Sequence, residues 1–174
     1  MDKYLLDAQR HGAFWTKVVP AESVVTAAWV RLKCKFGCAY YNASLLCPPR
    51  TPTPEETAAV IKCYQWAMLA AWDTPPERDE RRALRKKMHL AMLAMERGIF
   101  LDGYYKALAF VAGLCNLCPE CDVNAECQKP GVPRPSMEAC GIDVFTTMAN
   151  AGYKLEVRTR SDQHYTMCGL ILIE

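Results

Sequence analysis

The sequence predicts the α+β class: one domain spanning residues 1–174, with a mixed β-sheet, packed helices and two cysteine-rich loops. Three observations predict it. Short apolar runs bounded by Gly or Pro read as strands. Leu84, Met88, Ala91, Met92 and Met95 recur at the helical period. Ten cysteines fall largely into two groups, Cys34-x3-Cys38-x8-Cys47-Pro48-Pro49 and Cys115-x2-Cys118-x2-Cys121-x5-Cys127.

The elements follow in order. Residues 2–10 predict a short helix with Tyr4, Leu5 and Ala8 as its apolar face, ended by Gly12. Phe14 to Val19 reads as a strand stopped by Pro20, and residues 1–18 are expected as a candidate peripheral N-terminal segment. Residues 27–33, apolar and partly β-branched, read as a strand that delivers Cys34. Pro48-Pro49 predicts an extended exit after Cys47. Thr53-Pro54-Glu55-Glu56 is a helix start, with Thr53 as cap, Pro54 at the first position and Glu56 closing a capping box. That helix covers 54–62. The run from Tyr64 to Trp72 is apolar at nearly every position, so its period separates neither state; it reads as a buried strand.

Thr74-Pro75-Pro76-Glu77 opens the longest helix, over 76–97, with Gly98 as its stop and Glu77–Arg81 as a supporting pair. Its cations Arg78, Arg81, Arg82, Arg85, Lys86 and Lys87 read as a solvated face, with docking of an acidic partner as the alternative. Residues 104–112 read as a central strand and 142–150 as a helix. The alternation at Tyr153, Leu155 and Val157 predicts a half-buried strand over 153–158, paired as a hairpin with 166–173. The predicted core is Trp29, Leu84, Met88, Met92, Leu108, Phe110, Val144, Leu155, Val157 and Leu170, with Cys63 and Cys168 as small apolar residues beside it.

Composition narrows the function classes. About half the residues are hydrophobic (51%) and the net charge is +2, which argues for a globular chain with no nucleic-acid or membrane partner. No apolar run reaches the length of a bilayer span, and the start Met1-Asp2-Lys3-Tyr4 lacks a leader pattern. A cytoplasmic location follows as the expectation. In that reducing setting, close-spaced cysteines point to metal rather than to disulfides.

Eight cysteines lie in or beside the two groups: Cys34, Cys38, Cys47, Cys115, Cys118, Cys121, Cys127 and Cys140. Eight ligands suit two four-ligand sites. Zinc usually takes two separated pairs, whereas the triple Cys115, Cys118, Cys121 is the pattern of a cubane iron–sulfur cluster. His11, His89 and His164 are scattered and add no zinc pattern. The expected cofactor is therefore one or two [4Fe–4S] clusters, with zinc as the alternative.

The runs Val30-Arg31-Leu32-Lys33-Cys34, Cys47-Pro48-Pro49 and Gly103-Tyr104-Tyr105-Lys106-Ala107, together with the cysteine triple, carry a likeness. So do Pro135-Ser136-Met137-Glu138-Ala139 and Gly141-Ile142-Asp143-Val144. From about residue 19 onward the chain resembles the widespread prokaryotic family of predicted metal-binding proteins of unknown function. The resemblance implies metal binding at Cys34, Cys38, Cys47, Cys115, Cys118, Cys121 and Cys127; Cys140 is a candidate from position alone.

The ligand count decides the chemistry. A cluster with four thiolates suits electron transfer with a redox partner protein. One with three leaves an iron open as a Lewis acid, with Glu138 and Lys106 as candidate polar neighbours. Cys140, or Cys127 by a crossing of the two groups, is the candidate fourth ligand for the upstream site. No nucleotide-binding or hydrolase motif occurs. The reading is an electron carrier, with an open-iron enzyme or a zinc-stabilised interaction module as alternatives.

Overall fold

The computed structural model describes residues 1–174. Nine elements build it: α1 (Asp2–Arg10), β1 (Trp15–Pro20), α2 (Ala28–Gly37), α3 (Pro54–Ile61), β2 (Trp66–Thr74), α4 (Arg78–Leu101), β3 (Leu108–Phe110), α5 (Val144–Asn150) and β4 (Tyr165–Ile173). The fold is α+β. The strands form one sheet in the order β1-β2-β4-β3, and every strand ladder is antiparallel. The one parallel pairing is an isolated bridge between Val111 and Ser136.

The two central strands explain why their sequence has no period. In β2, Met68, Ala70 and Trp72 join the core on one face, while Ala67, Leu69 and Ala71 join the core on the other. A strand covered on both faces needs apolar residues throughout. α1 and α4 cover the first face through Tyr4, Ala8, Met88, Met92 and Met95; Ile61 of α3 and Met148 of α5 lie on the second. At Gly169 of β4 a Cβ would come within 2.8 Å of the Met92 sulfur, so this glycine lets α4 seat closely.

The capping box at Thr53 forms as expected, with Thr53 Oγ1 accepting from the Glu56 amide and Glu56 Oε2 accepting from the Thr53 amide. Several expectations are corrected. Residues 27–33 are not a strand: α2 runs from Ala28 to Gly37, and over those ten residues Val30 is the sole β-branched one among good helix formers. Its Trp29 is 45% exposed, not core. Residues 153–158 form no strand: β2 pairs with the whole of β4 on one edge, and on the other edge β3 pairs with Leu170, Ile171 and Leu172. Tyr153 and Leu155 still pack against the second core, but Val157 is exposed.

The strand expected over 104–112 is only Leu108–Phe110, since residues around Tyr105 turn and the Lys106 amide donates to the Glu174 carboxylate. α4 runs past Gly98 to Leu101; the left-handed residue that ends it is Gly103 (φ 104°). No Glu77–Arg81 ion pair forms, and Arg81 donates instead to the Pro76 carbonyl. Pro48–Pro49 is a cis peptide within a turn, not an extended exit. Leu84, Leu108 and Val144 are partly buried beside the core, and Met88, Met92, Phe110 and Leu170 lie within it. Cys168 is buried as expected; Cys63 is exposed, at the end of α3.

Candidate metal centre

A cavity of about 970 Å³ lies between the end of α2, the first half of α4 and the loop after β3. Seven of the ten cysteines line it: Cys34, Cys38, Cys47, Cys115, Cys118, Cys121 and Cys127. The three that do not are Cys63, Cys140 and Cys168. No three Cys, His, Asp or Glu side chains converge tightly enough to hold a single metal ion; the thiols are spread round the wall.

The upstream group is positioned by a helix end. Cys34 stands in the last turn of α2 and Cys38 caps it, so their four-residue spacing puts both on one face. Cys47 follows in a turn where the Ser44 hydroxyl donates to its Sγ at 3.4 Å. Behind α2 the chain is fixed by Arg31, whose guanidinium donates to Thr51 Oγ1 (2.8 Å) and to the Ala139 carbonyl (2.5 Å). Thr51 donates to the same carbonyl at 2.6 Å. These bonds hold the 3₁₀ turn Glu138–Cys140 against α2, and the Cys34 thiol meets the Glu138 carbonyl at 3.9 Å. Gly141 ends that turn at φ +77°, with Pro54 so near that a Cβ would stand 2.5 Å from its Cγ.

The downstream group sits in an irregular loop closed at its base. The Val111 amide donates to the Pro135 carbonyl, and Met137 donates back to Val111, both at 2.9 Å. Arg134 forms a two-pronged ion pair with Glu96 of α4, and its backbone N–H donates to His89 Nε2 at 2.8 Å. Within the loop an amide points at sulfur: Lys129 N–H donates to Cys127 Sγ at 3.4 Å. Such bonds favour a thiolate and tune a cluster's potential. Arg50 reaches across to the Val123 carbonyl at 3.2 Å and links the two cysteine loops.

Electrostatics separates the same two sets. Burial pushes the Cys34 thiol up, helped by the neighbouring Cys38 and Glu138 and opposed by Arg31. Burial likewise pushes Cys115 up, opposed by the Leu117 amide and helped by Cys121, Cys118 and Cys127. A bound metal reverses this, because a coordinating thiol is deprotonated outright. Cys140 couples to no other cysteine: burial pushes it up to about 12, with Arg31 lowering and Glu138 raising it. Its side chain is fully buried among Val19, Ile142 and Leu170 of the second core. The turn that brings Glu138 to the cavity wall sends Cys140 into the core.

Of the candidate polar neighbours, Glu138 lines the cavity and its Oε2 is buried without a hydrogen-bond partner. Lys106 does not line it; its ammonium lies 5.4 Å over the exposed Tyr105 ring. Arg78, Arg81, Arg82 and Arg85 also line it; Arg78 and Arg82 are exposed, as a solvated face requires, while Arg81 and Arg85 are half-buried. Their spacing of three, four and seven residues was the available signal, since it places all four on one side of a helix.

No helix is long and apolar enough to cross a membrane. The donor set, seven thiols and one unpartnered carboxylate on one cavity, fits a soft metal or a cluster. No curated protein and no solved structure matches the chain. Residues 17–173 match the family described as predicted metal-binding protein (DUF2284), and the chain belongs to that family.

Proposed function

We propose that the protein is an iron–sulfur electron carrier working with a partner protein. The observation that carries this is the gathering of seven cysteines, in two sets, on one cavity. Cys115, Cys118, Cys121 and Cys127 make a complete four-thiolate set for a [4Fe–4S] cluster, which supplies one-electron chemistry when bound. Seven thiols in two sets, one of them containing the Cys115, Cys118, Cys121 triple, support clusters over a single four-ligand zinc.

The partner reading rests on α2. Trp29, Leu32 and Phe36 are exposed on it, close in sequence to Cys34 and Cys38. Lys33 and Lys35 lie over the Trp29 and Phe36 rings, and α2 contains no acidic residue. An apolar stripe ringed by cations suits an acidic redox protein in a cytoplasmic setting.

A second reading is favoured by one observation: the upstream set has three thiols, Cys34, Cys38 and Cys47, with Glu138 on the same cavity. A cluster there would keep one iron position for Glu138 or for a substrate, since Cys140 does not line this cavity. Electron paramagnetic resonance of the reduced protein tests both readings. Cys118→Ser abolishes one signal and Cys38→Ser the other, and an added ligand such as cyanide perturbs only the upstream one. A single signal lost equally in both variants contradicts the two-set assignment. Two signals indifferent to cyanide contradict the open iron.

A further inference from the structure

The half-buried arginines of the chain are Arg31, Arg81, Arg85, Arg134 and Arg158. A partly desolvated charge is costly unless an opposite charge meets it. Among these, Arg134 alone has an acidic partner, Glu96. Arg158 lies over the Tyr165 ring, and Arg81 donates to the Pro76 carbonyl at the start of α4. That leaves Arg31 and Arg85, and each stands beside one cysteine set.

Arg31 precedes Cys34 by three residues on α2, which puts the two side chains on one side of the helix. Both meet the same 3₁₀ turn, Arg31 at the Ala139 carbonyl and Cys34 at the Glu138 carbonyl. The other acceptors of Arg31, Thr51 Oγ1 and the Pro52 carbonyl, are neutral too. Arg85 lines the cavity from α4. It is seated over Gly113, two residues before Cys115, where a Cβ would stand 3.2 Å from its Nε. That Nε is closed to solvent and has no hydrogen-bond partner. Asn116, the residue after Cys115, ties the same stretch to α4 by donating to the Arg82 carbonyl at 2.7 Å. Glu138 lines the cavity but pairs with neither arginine.

The opposite charge available to both is that of the thiols, which are deprotonated once they coordinate a metal. Four thiolates gather negative charge at the downstream set and three at the upstream one, and each electron taken up adds one more. Net charge is among the factors that set a cluster's potential. We infer that Arg31 and Arg85 are positioning residues for the proposed clusters, Arg31 for the upstream set and Arg85 for the downstream one, and that their charges favour the reduced state of each. The inference rests on the electron-carrier reading and adds that each potential is set by its own arginine. The electron passes from the partner protein to cluster iron; the arginines form no bond and move no proton.

Potentiometric titration of anaerobically purified protein, followed by electron paramagnetic resonance, tests it. The two signals are assigned by Cys118→Ser and Cys38→Ser, and iron and sulfide are counted in every sample. Arg85→Gln lowers the downstream midpoint alone, and Arg31→Gln the upstream one alone. Each change is about a tenfold fall in the equilibrium constant for reduction, or 59 mV for one electron. Arg85→Lys and Arg31→Lys keep the charge and recover most of the shift. Lys86→Gln, which removes an exposed cation of α4 that does not line the cavity, moves neither midpoint by more than about twofold in that constant. Arg31 also anchors the 3₁₀ turn, so Thr51→Val, which breaks that anchor and removes no charge, leaves the upstream midpoint in place. The Arg85 variants break no ion pair and carry the test alone where Arg31→Gln loses its cluster. The inference is overturned by unmoved midpoints in the glutamine variants, by both signals moving together, by lysine variants shifted as far as the glutamine ones, or by Thr51→Val matching Arg31→Gln. Those results leave the electron-carrier reading standing. Protein purified with zinc and no iron overturns that reading and this inference together.

Discussion

The two thiol groups reach one cavity by different routes. Cys115 to Cys127 spans 13 residues and Cys34 to Cys47 spans 14, so length does not separate them. The downstream set is a local object: its spacing alone curls an irregular loop, and the fold merely closes the base through Val111, Pro135 and the Arg134–Glu96 pair. The upstream set is assembled from afar. It depends on a helix end and on a turn more than 100 residues later, held by Arg31, Thr51 and Gly141. A short spacing encodes the first; long-range packing makes the second. The two should therefore fail separately.

The largest expected effect is on the downstream base. Glu96 and Arg134 have side chains only 11% and 19% exposed, and Glu96→Ala leaves a buried guanidinium unpaired. The loss should be about 3–5 kcal/mol in urea unfolding, with the downstream electron paramagnetic resonance signal weakened and the upstream one retained. A loss under about 1 kcal/mol, typical of exposed pairs, would show that the pair does not hold the loop.

Acid should act at the same base. Burial, and then the charge of Arg134, lower His89 to about 4 from 6.5. The folded state binds the proton less readily than the unfolded chain, so this contribution is full above pH 6.5 and is lost as the pH falls from 6.5 to about 4. The lost stability amounts to about 3 kcal/mol. His89→Gln keeps an acceptor for the Arg134 amide and does not titrate. Unfolding curves for the two proteins should diverge across that pH window, and parallel curves would contradict the assignment.

Gly141→Ala probes the other side. A positive φ and a 2.5 Å approach to Pro54 should cost about 1–3 kcal/mol and perturb the upstream signal alone. Smaller again are two cysteines outside the cavity. Cys140→Ser should cost about 1–2 kcal/mol by burying a hydroxyl in the core while iron content stays unchanged. Cys63→Ser, on an exposed helix end, should stay within about 0.5 kcal/mol. Iron lost on Cys140→Ser would make Cys140 a ligand and join the two groups through it.

How much of this was legible follows the same divide. Local chemistry was readable: the Thr53 capping box, the helix over residues 2–10, both cysteine spacings, and the buried strands, expected at 64–72 and 166–173 and found at Trp66–Thr74 and Tyr165–Ile173. What depends on neighbours was not. α2 looked like a strand because its apolar residues Trp29, Leu32 and Phe36 face solvent, where the hydrophobic pattern of a buried helix does not apply. Residues 153–158 alternate like a strand, but strand order is a property of the whole sheet, in which β4 takes β2 and β3 as its neighbours. Gly98 looked like a stop because glycine is a poor helix former, yet α4 is held beyond it by the fully buried Ile99. That Arg81 and Arg85 are half-buried on the cavity wall needed the fold as well, since their spacing fits equally a face turned wholly to water.

Iron and acid-labile sulfide counts on anaerobically purified protein test the central claim most directly. The cluster assignment predicts about four iron and four sulfide for each occupied group, about eight of each when both are filled, and a substantial loss of both on Cys118→Ser. Stoichiometric zinc with no sulfide would contradict it and leave the cavity as a structural metal site.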